Sequence, residues 1–208
     1  MSIIFKIAGS LRRCYTGFMS LTLKDLDPKI RQSAIRLPYR VGLWMSLADG
    51  TGGNASDKEE QKALETLIMA YSEDFVKSQF VQALMEECMK ERGDWINWVE
   101  NIEDVPKECR DVTAALNGKL ERGDIEAFKS NLIEIGYNVA LAYREFDYRS
   151  GFLSRLNTYW VVWKERFSAF ISGNAMKSNA ELLNISARER EALRQLGESL
   201  GREIREAA

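Results

Sequence analysis

From Gly123 onward the chain keeps one rhythm: Ile125, Phe128, Leu132, Ile135, Val139, Ala142 and Phe146 recur at alternating spacings of three and four. That spacing matches the turn of an α-helix and gathers all seven residues on one stripe, so the segment predicts a helix buried along a seam. The rhythm returns in Leu64, Leu67, Ile68 and Tyr71, in Phe152, Leu156, Trp160, Trp163, Phe167 and Phe170, and in Leu193, Leu196, Leu200 and Ile204. No stretch alternates apolar and polar residues with the period of two that a half-buried strand requires. The expected fold is all-α, a bundle of about seven to nine helices with an aromatic-rich helix at 152–171.

Local signals place the helix ends. Asp27-Pro28 reads as an N-cap followed by proline at the first helical position. That helix is expected to reach Ala48, interrupted or kinked near Pro38. Ser56 with Glu59, and Ser186 with Glu189, have the spacing of a capping box. Ser72–Asp74 reads as the start of a helix carrying Phe75, Phe80, Leu84 and Cys88. Trp95 and Trp98 share a face of a short helix, and a further helix is expected from Pro106 to Leu120. The division expected is a basic amphipathic arm at 1–24 and one helical domain at 25–208.

Composition excludes several kinds of chemistry. The 208 residues are 45% apolar and 29% charged, an ordinary globular balance, and contain no histidine. Without imidazole there is no His-based acid or base, no Ser-His-Asp or Cys-His pair, and no zinc site that needs a histidine ligand. Adjacent acids such as Glu86-Glu87 point about 100° apart on a helix and do not converge on one substrate. The chain is therefore expected not to be an enzyme. A carboxylate-and-metal hydrolase would need at least four converging acids. Cys14, Cys88 and Cys109 are an odd number without CxxC spacing, which points to a reducing, cytoplasmic setting.

Charge is segregated. Residues 1–48 hold eight Lys/Arg against two Asp/Glu, and residues 49–104 hold five against fourteen. A basic head suits an anionic partner and an acidic middle suits a cation or a basic partner; internal pairing of the two is the alternative. Nucleic-acid binding is not expected, because no long basic stripe with interleaved aromatics is present. Ile3, Ile4, Ile7, Leu11, Cys14, Tyr15 and Phe18 fall at helical spacing among Lys6, Arg12 and Arg13. Three readings of this head stay open: a helix lying on an anionic membrane, a transit peptide, and a first helix docked on the core. No stretch has the roughly 18 apolar residues of a membrane span, so any membrane association is expected to be peripheral.

The sharpest local feature is DGTGGNAS at 49–56, a glycine-rich break between two helices. With Asp49 as position 1 of a twelve-residue calcium loop, Thr51 falls at 3, Asp57 at 9 and Glu60 at 12. Glu59 adds a neighbouring carboxylate. Hard cations take such oxygen ligands, so calcium, magnesium or manganese is the expected cofactor. Gly53 at position 5 and Asn54 at position 6 depart from the EF-hand pattern, and an acid-rich first turn that complements the helix dipole is the plain alternative.

The segment GLWMSLADGTGGNASDKEEQKALETLI (42–68) resembles the TerB-like family, named for tellurite-resistance proteins. The resemblance rests on Ala48-Asp49-Gly50 ending one helix, and on Ser56, Asp57, Glu59 and Glu60 opening the next. IEIGYNVALAYREFDYRSGF (133–152) stands where the family's second unit lies, with Tyr143-Arg144-Glu145 in place of its Asp-Gly. ELLNISAREREAL (181–193) resembles the family's closing turn and helix. The resemblance implies a helical bundle whose acids line a divalent-cation site, here Asp49, Asp57, Glu59 and Glu60, with Glu145 from the second unit. It also implies a role in stress response or in membrane-linked complexes, with a protein partner. A purely structural or adaptor bundle, engaging its partner through the aromatic helix 152–171 and holding no metal, is the second reading.

Overall fold

The computed structural model describes residues 22–48, 64–69, 72, 78–142 and 185–204. Helix accounts for 83% of these residues, and no strand occurs among them, so the all-α expectation holds. The long helices are α1 (Pro28–Ala48), α3 (Gln79–Lys90), α4 (Val105–Leu116), α5 (Arg122–Ala142) and α6 (Ala187–Ser199). Residues 64–69 are helical and are called α2. Short 3-10 helices occur at Leu23–Asp25, Arg92–Trp98 and Ile102–Asp104.

Helix α1 is the axis of the bundle, in contact with α3, α4, α5 and α6. It starts where the sequence places it: Asp27 Oδ1 accepts from the amides of Lys29 (2.9 Å) and Ile30 (3.4 Å), an N-cap ahead of Pro28. It runs unbroken to Ala48 with Pro38 inside and buried. The seam on α5 is equally legible, since Ile125, Phe128, Leu132, Ile135 and Val139 are all buried. In α6 both halves of the capping box form: Ser186 Oγ accepts from the Glu189 amide (3.2 Å), and Glu189 Oε2 accepts from the Ser186 amide (2.7 Å).

Three helix ends differ from the expectations. Helix α3 begins at Gln79 rather than at Ser72–Asp74, because Ser78 caps it by accepting from the Val81 amide at 3.3 Å. Ser78 Oγ also donates to Asp124 Oδ1 at 2.6 Å, which ties the start of α3 to the start of α5. Helix α4 ends at Leu116 rather than Leu120, just ahead of Gly118 in the left-handed region. Helix α6 stops at Ser199, short of Ile204. Gly201 at φ 67° turns the chain back, with Arg202 N donating to Gly197 O (2.9 Å) and Gly201 N to Glu198 O (3.0 Å). Ile204 then folds against Gly197, where an added Cβ would stand 2.6 Å from Ile204 Cγ1.

Close backbone approach joins α1 to α2. A Cβ at Gly42 would overlap Leu64 Cδ1, so glycine lets Leu64 lie directly on the α1 backbone. The expected helix-loop-helix is thus a packed pair on its described side.

Candidate functional site

The six residues expected to hold a cation, Asp49, Thr51, Asp57, Glu59, Glu60 and Glu145, all lie outside the described residues, as does the aromatic segment 152–171. The structure does describe what brackets the 49–63 segment. Leu64 lies against Gly42, six residues before the last residue of α1. Six residues of helix rise about 9 Å, whereas fifteen extended residues could span about 50 Å. Both ends of the acidic, glycine-rich segment are therefore held close together on one helical pair. Among the described residues, no group of three or more His, Cys, Asp or Glu side chains is arranged to hold a metal ion.

A second feature is built two residues before Gly42 on α1, around a buried arginine. Arg40 is 5% exposed, and its guanidinium spends its donors on one stretch of backbone and one carboxylate. Nε donates to Glu108 Oε2 (2.8 Å) and Nη2 to Glu108 Oε1 (3.1 Å), the paired geometry that favours arginine over lysine. Nη1 donates to the carbonyls of Trp98 and Glu100, the latter at 2.9 Å, and Nη2 to that of Asn101 at 3.0 Å. These carbonyls sit at the end of the Arg92–Trp98 helix, where acceptors lack helical partners and a cation is favoured. Asn101 itself is left-handed at φ 51°, a conformation asparagine adopts more readily than most residues.

Aromatic packing fixes the rest of this stretch to α1. Tyr39 stacks on Trp95 with centroids 4.4 Å apart, and meets Trp98 edge-on at 6.1 Å. Trp95 Nε1 donates to the Cys88 carbonyl at 3.2 Å. The Arg36 guanidinium covers Trp98 at 5.6 Å, and Gln32 Nε2 donates to Glu91 Oε2 at 2.7 Å. Gln32, Arg36, Tyr39 and Arg40 thus form a continuous line of attachment along α1.

The 3-10 geometry decides what this stretch presents outward. With three residues per turn, side chains at i and i+3 eclipse and form straight ridges. Trp95 and Trp98 make the buried ridge. Gly93, Ile96 and Val99 make a second, entirely apolar and exposed, with Ile96 74% and Val99 39% accessible. Asp94 and Asn97 make the third, polar and also exposed, and the exposed Glu100 follows just past the helix end. Sequence reasoning paired the two tryptophans, but it missed Arg40 and the Ile96–Val99 ridge. The signal for the ridge was the three-residue repeat in GDWINWVEN; Arg40 left only a charge in an apolar run.

The remaining reactive groups serve the interior. Burial pushes the Cys88 and Cys109 thiols up to about 12, so neither is a nucleophile at neutral pH. Glu126 is held below the usual carboxylate range, first by the Arg202 side chain that donates to it at 2.7 Å; the same guanidinium fastens the tail to α5. An open depression of about 380 Å³ lies between α1 and α6, lined by Trp44, Ala48, Ala192 and polar residues of α6. No helix among the described residues is long and apolar enough to cross a membrane.

These elements define an all-α helical bundle with an aromatic-backed outer turn. Compared with known proteins, the chain matches no family model, no curated protein and no solved structure.

Proposed function

We propose that the chain is a non-enzymatic helical binding protein of TerB-like type. In this reading it engages a protein partner at the cytoplasmic face of an anionic membrane, which the basic head 1–24 contacts. A divalent cation held by Asp49, Thr51, Asp57, Glu59 and Glu60, with Glu145 from the second unit, stiffens the segment between α1 and α2. Stress response, including tellurite resistance, is the setting the resemblance implies.

The observation that supports this most is the Gly42–Leu64 approach, which holds the two ends of an acid-rich segment close together. Closing such a segment concentrates like charges, and a hard cation relieves that repulsion. The segregation of charge between 1–48 and 49–104 supports a binding role in the same way.

Thermal melts of the full chain with and without calcium, magnesium or manganese test the cation reading. A ligand at a hundred times its dissociation constant adds about 2.7 kcal/mol, or a rise of roughly 5–10 °C for a domain of this size. The expected result is a rise with one of the three ions that Asp49→Asn with Glu60→Gln removes. No rise at millimolar metal, or one that this double variant leaves intact, contradicts it. Liposome flotation of the full chain against one lacking residues 1–24 tests the head: anionic vesicles should float only the former.

A further inference from the structure

The proposed function gives the basic head an anionic partner; the outer turn at 93–100 offers an anionic, apolar surface on the chain itself. From Gly93 to Pro106 the sequence holds four acids, Asp94, Glu100, Glu103 and Asp104, and no lysine or arginine. All four acids are exposed, beside an isoleucine that is 74% accessible. A branched side chain so exposed forfeits most of its burial energy, and here it stands in a straight apolar ridge with an acidic ridge beside it. That combination fits a segment with the opposite make-up: apolar on one side, basic, and free of acids.

One such segment is in the chain. Residues 1–21 carry Lys6, Arg12 and Arg13 and no acid, with Ile3, Ile4, Ile7 and Leu11 at helical spacing. Their point of departure lies on the α3 side of the bundle. Thr22 is held by Asp25, whose Oδ2 accepts from the Thr22 amide (2.9 Å) and hydroxyl (2.6 Å). The Leu23–Asp25 helix packs on α3, and α3 ends at Lys90, just ahead of the ridge. Gln32, in the first turns of α1, already reaches Glu91. From Gly93 to Val99 the ridge extends about 12 Å at the rise of a 3-10 helix, while 21 residues extend about 30 Å even when fully helical. The length of the head suffices to cover the ridge, and its start on α3 puts it on the element that leads into that ridge.

We propose that the Gly93–Ile96–Val99 ridge, with Asp94 and Glu100 beside it, is the docking face for the chain's own basic head, residues 1–21. Ile96 and Val99 supply apolar contact, and the acids pair with Lys6, Arg12 and Arg13. No divalent ion enters this interaction, so it stands or falls separately from the cation reading; the ridge and an anionic membrane compete for the same head, which docks on the chain where no membrane is present.

Chymotrypsin cleavage of the full chain, without metal or vesicles, tests it, because Phe5, Tyr15 and Phe18 are head cleavage sites and the substitutions below leave them intact. A head docked about nine-tenths of the time is cut about tenfold more slowly than a free one. The wild type should show that protection. Ile96→Ser should abolish it, as should Asp94→Lys with Glu100→Lys, and Arg12→Glu with Arg13→Glu, each keeping a cooperative thermal transition whose midpoint falls by only the few degrees that a tenfold docking equilibrium adds. Combining the two charge reversals should restore protection, a coupling that a merely structural effect does not produce. Equal cleavage rates in wild type and variants, or additive loss in the combined variant, overturns the proposal. Protection that fades on dilution together with a dimeric mass assigns the ridge to a second copy and also overturns it.

Discussion

Replacing Arg40 by alanine is the most informative single change to the bundle. The substitution strands the buried Trp98 carbonyl, frees that of Glu100, leaves that of Asn101 with the Asp104 amide alone, and leaves Glu108 without its partner. Removing one member of a buried ion pair costs about 3–5 kcal/mol, but the Glu108 side chain is 36% exposed, so water recovers part of this. An orphaned buried carbonyl adds about 1–3 kcal/mol, whereas Glu100 is an exposed residue and the Asn101 carbonyl keeps the Asp104 amide, so these two add little. Because these losses overlap, the expected total is about 3–4 kcal/mol. At roughly 2–4 °C per kcal/mol for a domain of this size, the midpoint should fall by about 10 °C. Calorimetry measures the fall, and tryptophan fluorescence should shift to the red as Trp95 and Trp98 lose their anchor. Arg40→Lys keeps the charge without the fork and should recover less than half of the loss. A midpoint within about 2 °C of wild type for Arg40→Ala would refute the role given to this side chain.

Gly42→Ala gains about 1 kcal/mol of helix propensity but forces Leu64 off α1 at a cost of about 1–3 kcal/mol, so urea melts should show a net loss. Ser186→Ala removes one half of the α6 capping box and should lower stability by about 1 kcal/mol in the same assay. Cys88 and Cys109 have thiols raised by burial from 9.0 to about 12; a group raised on folding keeps its full contribution below the unfolded value and loses it as pH climbs. The urea midpoint should therefore fall between pH 9 and 12, and a thiol reagent at pH 7 should leave both cysteines unmodified until the chain unfolds.

What the sequence made legible was local. The Asp27 cap, the Ser186–Glu189 box and the α5 seam each depend on residues within a few turns of one another; the cap and the box form, and so does the seam as far as Val139, with the Ala142 side chain and Phe146 outside the described residues. Helix ends were harder where the deciding partner is distant: local signals start α3 at Ser72–Asp74, whereas the cap is Ser78, which also bonds Asp124, 46 residues away. Gly201 carried a readable stop for α6, but the leucine rhythm through Ile204 masked it; Ile204 packs by doubling back rather than by continuing the helix. Arg40 was invisible for a different reason. Its partners lie 58 to 68 residues further along the chain, and nothing in the surrounding apolar run marks a charge as structural rather than exposed. The proposed cation ligands belong to residues outside those described, so their grouping rests on spacing and resemblance.

Native mass spectrometry of the full chain with calcium, magnesium and manganese addresses the central proposal most directly. One bound ion in the wild type, lost in Asp49→Asn with Glu60→Gln and retained in Arg40→Ala, is the predicted result. An ion-free spectrum throughout, or the same ion count in the double variant, would contradict it.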